Sequence, residues 1–283
     1  MEVTFWGVRG SIPSPGPATV RYGGNTSCVS VRLADGEIIM IDCGTGARAF
    51  GISLLAGAFG QGKGSATVLL SHAHWDHIQG FPFFGPFYVP GNRFTVVGGS
   101  QSSELLERVL ERQMAAQFFP VQSYRNMGAH IEMRGVPEDR EVRVGSAKII
   151  AHPNPHGPTQ VMAFRIEADG KTLVYASDVG YEPSGPPDDT LAIYRGADLL
   201  IHDCTFTPED RVDRMSRGLS SLEDAVDAAA RAQAKRLALF HYDQDYSDQE
   251  VDELVTRGRR LLDARGAEAV EILGAAEGLT LRL

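Results

Sequence analysis

Four side chains able to hold a metal fall within six positions, in Ser71-His72-Ala73-His74-Trp75-Asp76-His77, directly after the apolar strand Thr67–Leu70. Strand side chains alternate with a period of two, so His72 and His74 leave the strand end on one side and can reach one ion. Asp76 and His77, beyond the turn, can swing onto a second ion a few ångströms away. One short segment thus seeds two sites without completing either, because zinc sites take three or four protein ligands each. The missing ligands have to come from other strand ends that converge on this one, which restricts the chain to folds that gather many strand ends at one place.

Three such residues follow. Asp178 ends the strand Thr172–Ser177, and His241 ends Leu237–Phe240. His156 lies in a Pro-rich stretch, Pro153-Asn-Pro-His-Gly-Pro, expected to be a turn ahead of strand Met162–Glu167; it is favoured over His152, four residues earlier. A carboxylate has two oxygens and can bridge two cations, a role that suits Asp178. His202, in Leu199-Leu-Ile-His-Asp203, also ends a strand and is expected behind the ligands, while His130 in Gly128-Ala-His-Ile reads as structural.

Further short strands rich in Val, Ile and Leu are expected at Val3–Gly7, Cys28–Leu33, Glu37–Asp42, Ala66–Ser71, Arg93–Val97, Ala147–Ala151, Leu199–His202 and Glu271–Leu273. Helices begin where capping boxes precede apolar stripes: Ser220-x-x-Glu223 before Leu222, Ala225, Val226 and Ala229, and Ser247-x-x-Glu250 before Val251, Leu254 and Val255. Ser102 and Ser103 likewise precede Leu105, Leu106 and Val109. A layered α/β fold follows, and with no repeat or long linker, residues 1–283 are expected to form one domain. Two Gly- and Pro-rich segments stand apart, Gly10–Gly24 and Phe81–Gly91; the aromatic residues of the second, Phe81, Phe83, Phe84, Phe87 and Tyr88, either line a substrate mouth or cap the core.

With 43% apolar and 22% charged residues, disorder is excluded for the bulk of the chain, and no apolar run approaches the roughly 18 residues of a membrane helix. No membrane contact is expected. The start, Met1-Glu-Val-Thr-Phe-Trp, has neither a basic nor an apolar leader, which places the chain in the cytoplasm, where Cys28, Cys43 and Cys204 stay reduced. A net charge of −9 argues against binding long nucleic acids, yet a small anionic substrate remains compatible with a focused cationic centre.

The ordered set His72-x-His74-x-Asp76-His77, His156, Asp178 and His241 resembles the metallo-β-lactamase superfamily over nearly the whole chain. The stretches Arg21-Tyr-Gly-Gly-Asn-Thr-Ser-Cys28, Ile41-Asp-Cys-Gly-Thr-Gly46 and Lys235-Arg-Leu-Ala-Leu-Phe-His241 are most similar to its phosphodiesterase branch, which includes the tRNA 3′-processing endonuclease and a cyclic phosphodiesterase of phosphonate breakdown. The resemblance implies a four-layer αββα sandwich. It implies one metal on His72, His74 and His156, and a second on Asp76, His77 and His241 with Asp178 shared. Asp42 would support the site from behind, unless it merely starts the turn Asp-Cys-Gly. Imidazole and carboxylate ligands suit two divalent ions, zinc first, with Mn2+, Fe2+ or Ni2+ also compatible. Asp76, Asp178 and His202 are the expected catalytic residues, and a hydroxide between the cations is the expected nucleophile, attacking a small cyclic or nucleotide-like phosphodiester. The resemblance also allows a homodimer.

One departure is plain. The branch carries a Gly-His-Ser/Thr motif before the helix leading to the last ligand, where this chain has Arg217-Gly218-Leu219-Ser220-Ser221. Leucine donates no proton, so either His202 or His152 substitutes, the substrate needs no donor, or catalysis is weak. The tRNA-processing relatives carry an RNA-binding arm between the third histidine and the bridging aspartate; only 21 residues separate His156 from Asp178, and a strand pair is expected to fill them. Leu219 keeps two alternatives open: thioester or lactone hydrolysis at the same centre, and a non-catalytic metal-binding sensor.

Overall fold

Adjacent residues of one strand belong to different cores. In strand β3 (Ile38–Ile41) and strand β4 (Ser65–Leu70), Ile39, Ile41 and Leu69 face the core between two sheets, whereas Ile38, Met40, Val68 and Leu70 face a second core under helices. A strand apolar on both faces is a central strand covered on both sides. The computed structural model describes residues 1–98, 103–137, 140–207 and 218–283; Ser102 and Arg217 lie outside them.

The first sheet has the order β14-β1-β2-β3-β4-β5-β6, with β1 Glu2–Gly7, β2 Cys28–Arg32, β5 Arg93–Gly98, β6 His130–Gly135 and β14 Thr280–Arg282. The second runs β13-β12-β11-β10-β9-β8-β7, with β7 Glu141–Val144, β8 Ala147–His156, β9 Thr159–Ala168, β10 Lys171–Ala176, β11 Leu199–Asp203, β12 Arg236–Phe240 and β13 Glu271–Gly274. Both sheets are mixed: β3 to β6 are parallel, as are β10 to β13. Helices α1 (Ala47–Leu55) and α3 (Ser103–Gln113) cover the outer face of the first sheet; α4 (Asp188–Tyr194), α5 (Leu222–Arg231) and α6 (Asp248–Ala264) cover the second. The result is the αββα sandwich. Among the described residues no helix is long and apolar enough to cross a membrane.

The aromatic segment divides between core and surface. Phe81, Phe84 and Phe87 are buried in the outer core of the first sheet, whereas Phe83 is exposed.

Two local expectations are corrected. His156 ends a ten-residue strand rather than sitting in a turn. Beyond Ile150, β8 pairs with β9 alone, so Pro153 and Pro155 occupy a stretch with one free edge, where a missing N–H costs no ladder bond. The capping box of α5 is shifted by one residue, to Ser221 and Asp224. Ser220 is engaged elsewhere: its N–H donates to Asp203 at 2.8 Å and its hydroxyl to the Val179 carbonyl. The box at Ser247 and Glu250 forms as the spacing predicts.

Candidate metal centre

The carboxyl ends of parallel strands in open α/β sheets form clefts. Here β4 delivers His72 and His74 to such a cleft, and the single turn α2 (Trp75–Ile78) that follows delivers Asp76 and His77. Asp178 lies two residues past β10, His241 one residue past β12, and His156 at the end of β8. The seven side chains form two sets: His72, His74 and His156, and Asp76, His77, Asp178 and His241, with possible donor atoms in each set within 4.8 Å of one another. The sets adjoin, the rings of His72 and His77 being 4.2 Å apart.

In the second set, His77 Nε2 lies 3.1 Å from Asp178 Oδ2, 3.5 Å from Asp76 Oδ2 and 3.3 Å from His241 Nε2. His241 Nε2 lies 3.0 Å from Asp76 Oδ2 and 3.3 Å from Asp178 Oδ2. A tetrahedron built on metal–ligand bonds of 2.0–2.1 Å has edges of about 3.3 Å, so these four atoms outline a zinc-sized coordination shell. In the first set, His156 Nε2 and His74 Nδ1 are 3.0 Å apart. His72 Nε2 is buried with no hydrogen-bond partner among the described residues, the state of an imidazole nitrogen reserved for a cation. The donor set fits divalent metal ions.

Three of the five rings are oriented through their other nitrogen. His77 Nδ1 donates to Asp42 Oδ2 at 2.7 Å, His156 Nδ1 donates to the Gly218 carbonyl at 2.7 Å, and His241 Nδ1 lies 3.2 Å from the Thr205 hydroxyl. These bonds leave His77 Nε2, His156 Nε2 and His241 Nε2 free for a metal. Asp42 is itself held by Ser71 and by the Tyr175 hydroxyl, 2.7 Å from Oδ2. On the far side, buried Arg9 donates to the Gly23, Asp243 and Tyr246 carbonyls and ties down the first Gly-rich segment, whose Ser11 N–H donates to Asp76 Oδ2 at 2.7 Å.

Backbone strain collects here. Asp42, Asp178 and His241 all adopt left-handed φ (57°, 60° and 54°), as does Ser11 (66°). Such conformations are costly for non-glycine residues and persist where the surroundings over-determine them, commonly at functional sites.

Electrostatics separate the sets. Burial, with His77 and His156 nearby, holds His72 and His74 below the ordinary imidazole range, neutral and ready to ligate. Burial also opposes charge on His77 and His241, but Asp178 and Asp76 outweigh it and hold both above that range. Asp76 and Asp178 resist the upward push of burial and stay well below the carboxylate range because His77 and His241 face them.

Other histidines fall outside both sets. His202, expected as a catalytic residue, is fully buried, its ring held between the Tyr181 hydroxyl at 2.8 Å and the Asp203 carbonyl at 2.9 Å, and burial pushes it down to about 4. His152 is half-buried, 3.3 Å from the Thr190 hydroxyl, and His130 opens β6 at the surface. Leu219 is buried and offers no proton.

Several partners are not singled out by sequence reasoning: Ser11, Ser71, Tyr175, Thr205, Gly218 and Asp203. Asp203 accepts the Val179 and Ser220 N–H groups, and burial beside Asp178 pushes it up to about 7. Only Tyr175 carried a signal, since a tyrosine in the middle of an apolar strand needs a buried partner for its hydroxyl.

The family model described as beta-lactamase superfamily domain matches residues 38–242. A Ribonuclease Z of Natronomonas pharaonis is 29% identical, with 87% of this chain and 88% of that protein covered. Among solved structures, the metallo-beta-lactamase fold protein YhfI from Bacillus subtilis superposes with a TM-score of 0.72 at 21% identity, covering 99% of this chain and 98% of that one. The short form of human tRNase Z gives 0.67 at 20% identity, covering 100% and 98%. The expectation that no long nucleic acid is bound finds no support among these relatives.

Proposed function

The chain belongs to the beta-lactamase superfamily, in its phosphodiesterase branch, and is a metal-dependent hydrolase; from that premise we propose that it cleaves small cyclic or nucleotide-like phosphodiesters at two divalent cations, zinc first. His72, His74 and His156 would hold one ion, and Asp76, His77 and His241 the other, with Asp178 shared. Bound there, the cations supply a water whose pKa falls towards roughly 7 and positive charge opposite the phosphoryl oxygens.

The observation that carries this reading is the pair of adjoining donor sets, one of three imidazoles and one carrying two carboxylates. The chain's own residues do the positioning. Asp42, Thr205 and the Gly218 carbonyl fix three imidazoles, and the Ser11 N–H holds Asp76. With Leu219 where a proton donor would stand, the site favours strained cyclic esters or good leaving groups, which need little general-acid help. The core shared between the sheets supports reading residues 1–283 as one hydrolase domain, and three free, buried cysteines suit a reducing cytoplasm.

Hydrolysis of bis-p-nitrophenyl phosphate by zinc- or manganese-loaded protein tests the proposal. Turnover that disappears in Asp178→Ala is expected; no turnover with either metal overturns it. Relatives named Ribonuclease Z bring in RNA as a second reading. Against it stand the −9 charge and strands β9 and β10, which occupy most of the interval from His156 to Asp178. Cleavage of a precursor tRNA faster than of a cyclic nucleotide would decide for RNA.

A further inference from the structure

The three exposed phenylalanine and tryptophan side chains among the described residues gather in one place beside the metal centre. Trp75, Phe83 and Phe118 are 73%, 56% and 76% exposed, and all line a single hollow of about 470 Å3 together with Val109 and Phe119. Phe119 meets the Phe83 ring edge-on at 5.2 Å. Apolar aromatic surface left in water at this density marks a binding site. The volume lies within the range of small-molecule pockets.

The hollow adjoins the histidine end of the cleft. A second cavity of about 360 Å3, lined by His72, His74, Leu105 and Leu106, shares Ala73 and Val109 with it. Neither lining contains an acidic side chain, in a chain whose net charge is −9, and Arg112 contributes one cation. The surface is therefore compatible with an anionic substrate whose remaining part is flat and apolar. Gln113, also in the lining, has a buried Nε2 that donates to no acceptor among the described residues. A ring nitrogen or carbonyl on the ligand would satisfy that donor, and a plain hydrocarbon would not.

Resting on the phosphodiester reading above, we propose that this hollow holds the base of the substrate: a planar nitrogen heterocycle stacked on Trp75, Phe83 and Phe118, with Gln113 donating to its edge, while the phosphodiester reaches His72 and His74. Stacking on aromatic side chains tolerates any base, because every base offers a π-face. The pocket thus selects base-bearing phosphodiesters over base-free ones and discriminates weakly among bases.

The chain has two tryptophans, and Trp6→Phe leaves Trp75 as the sole indole reporter. Titration with adenosine 5′-monophosphate should quench Trp75 saturably, whereas ribose 5-phosphate, which carries the same phosphate, should not. Phe83→Ala and Phe118→Ala, both at exposed positions, should weaken nucleotide binding about 5- to 150-fold, the range that base stacking spans, and leave ribose 5-phosphate unaffected. Calorimetric titration of the unsubstituted protein with the same two phosphates reads the same difference should Trp6→Phe, which gives up a hydrogen bond to Ser30, fail to fold. Equal affinity for the two phosphates overturns the proposal. So does a Phe118→Ala protein that keeps its nucleotide affinity but loses a dimer in sedimentation, an outcome that assigns the patch to a second copy of the chain. Because binding is read without turnover, nucleotide selectivity in an inactive protein removes the phosphodiesterase reading alone, and turnover without selectivity removes the base pocket alone.

Discussion

Asp42→Asn changes one atom and one charge at a point where four hydrogen bonds meet. Oδ1 accepts the Ser71 N–H at 2.7 Å; Oδ2 accepts the Ser71 hydroxyl at 2.8 Å, the Tyr175 hydroxyl at 2.7 Å and His77 Nδ1 at 2.7 Å. All four partners are donors, and the site is fully buried. An asparagine keeps three of these bonds if its oxygen takes the Oδ2 position, but its amide then confronts the Ser71 N–H, donor against donor. Losing charge assistance weakens each surviving bond by about 1 kcal/mol, and the unpaired N–H costs about 1–3 kcal/mol. Relief from burying a carboxylate offsets part of this, leaving a net loss of roughly 1–3 kcal/mol. The sharper consequence falls on His77, whose ring orientation and basicity Asp42 sets. Removing such an outer partner typically weakens metal binding about 10- to 100-fold. Chelator-competition titration of zinc should show one site weakened by that factor and the other close to its original affinity. Two sites of unchanged affinity in a folded Asp42→Asn protein would refute the orienting role of Asp42.

Three further outcomes are expected. Asp178 and Asp76 hold His77 and His241 above the usual imidazole range despite burial, so metal uptake near pH 7 must displace protons and affinity must rise with pH; calorimetric heats independent of buffer ionisation enthalpy would contradict this. Gly10→Ala would place a Cβ 2.4 Å from the His241 ring, and should cut metal-dependent turnover at least about 10-fold while thermal melts of the metal-free protein change little; unchanged turnover would show that the ring can yield. His202 titrates at about 4 in the fold against about 6.5 unfolded, so the unfolded chain takes up a proton first as pH falls, and stability present above 6.5 drops by about 3 kcal/mol towards pH 4. Urea unfolding between pH 8 and pH 5 should show a shallower pH slope for His202→Gln, and identical slopes would exclude His202 as the source.

The elements legible in the sequence are those whose pattern is local. The strand cores of β3, β4, β10, β11 and β12 are uninterrupted apolar runs, and four of the seven candidate ligands, His72, His74, Asp178 and His241, lie just beyond a strand end that such a run predicts. Helices α1 and α4 escape notice because neither has a side-chain cap: the N-cap position is Gly46 in α1 and Pro187 in α4. Helix α1 is held instead by packing, with the Phe50 ring 5.2 Å from Trp6 and 6.1 Å from Phe84. Strands β6 and β7 lie at sheet edges and carry charged residues, Glu132, Arg134, Glu141 and Arg143, that mask their alternation. The capping register at α5 is ambiguous because Ser220 and Ser221 precede both Glu223 and Asp224, and only the contacts of Ser220 with Asp203 and Val179 settle it.

What the sequence hides in the site is different in kind. The ligands are side chains, and a pattern of side chains can name them. Much of what aims them is backbone: the Gly218 carbonyl on His156, the Ser11 N–H on Asp76, the bare Cα of Gly10 under His241. Every residue but proline has the same N–H and C=O, so these groups leave no mark in composition or spacing. Gly218 shows the limit most clearly. Its φ of +68° and the 1.9 Å that would separate a Cβ from Gly157 N make it intolerant of any side chain, and its carbonyl selects the tautomer of a histidine 62 residues away. The sequence sets that glycine beside Leu219 in the stretch Arg217-Gly218-Leu219-Ser220-Ser221, but carries no sign of the bond its carbonyl makes.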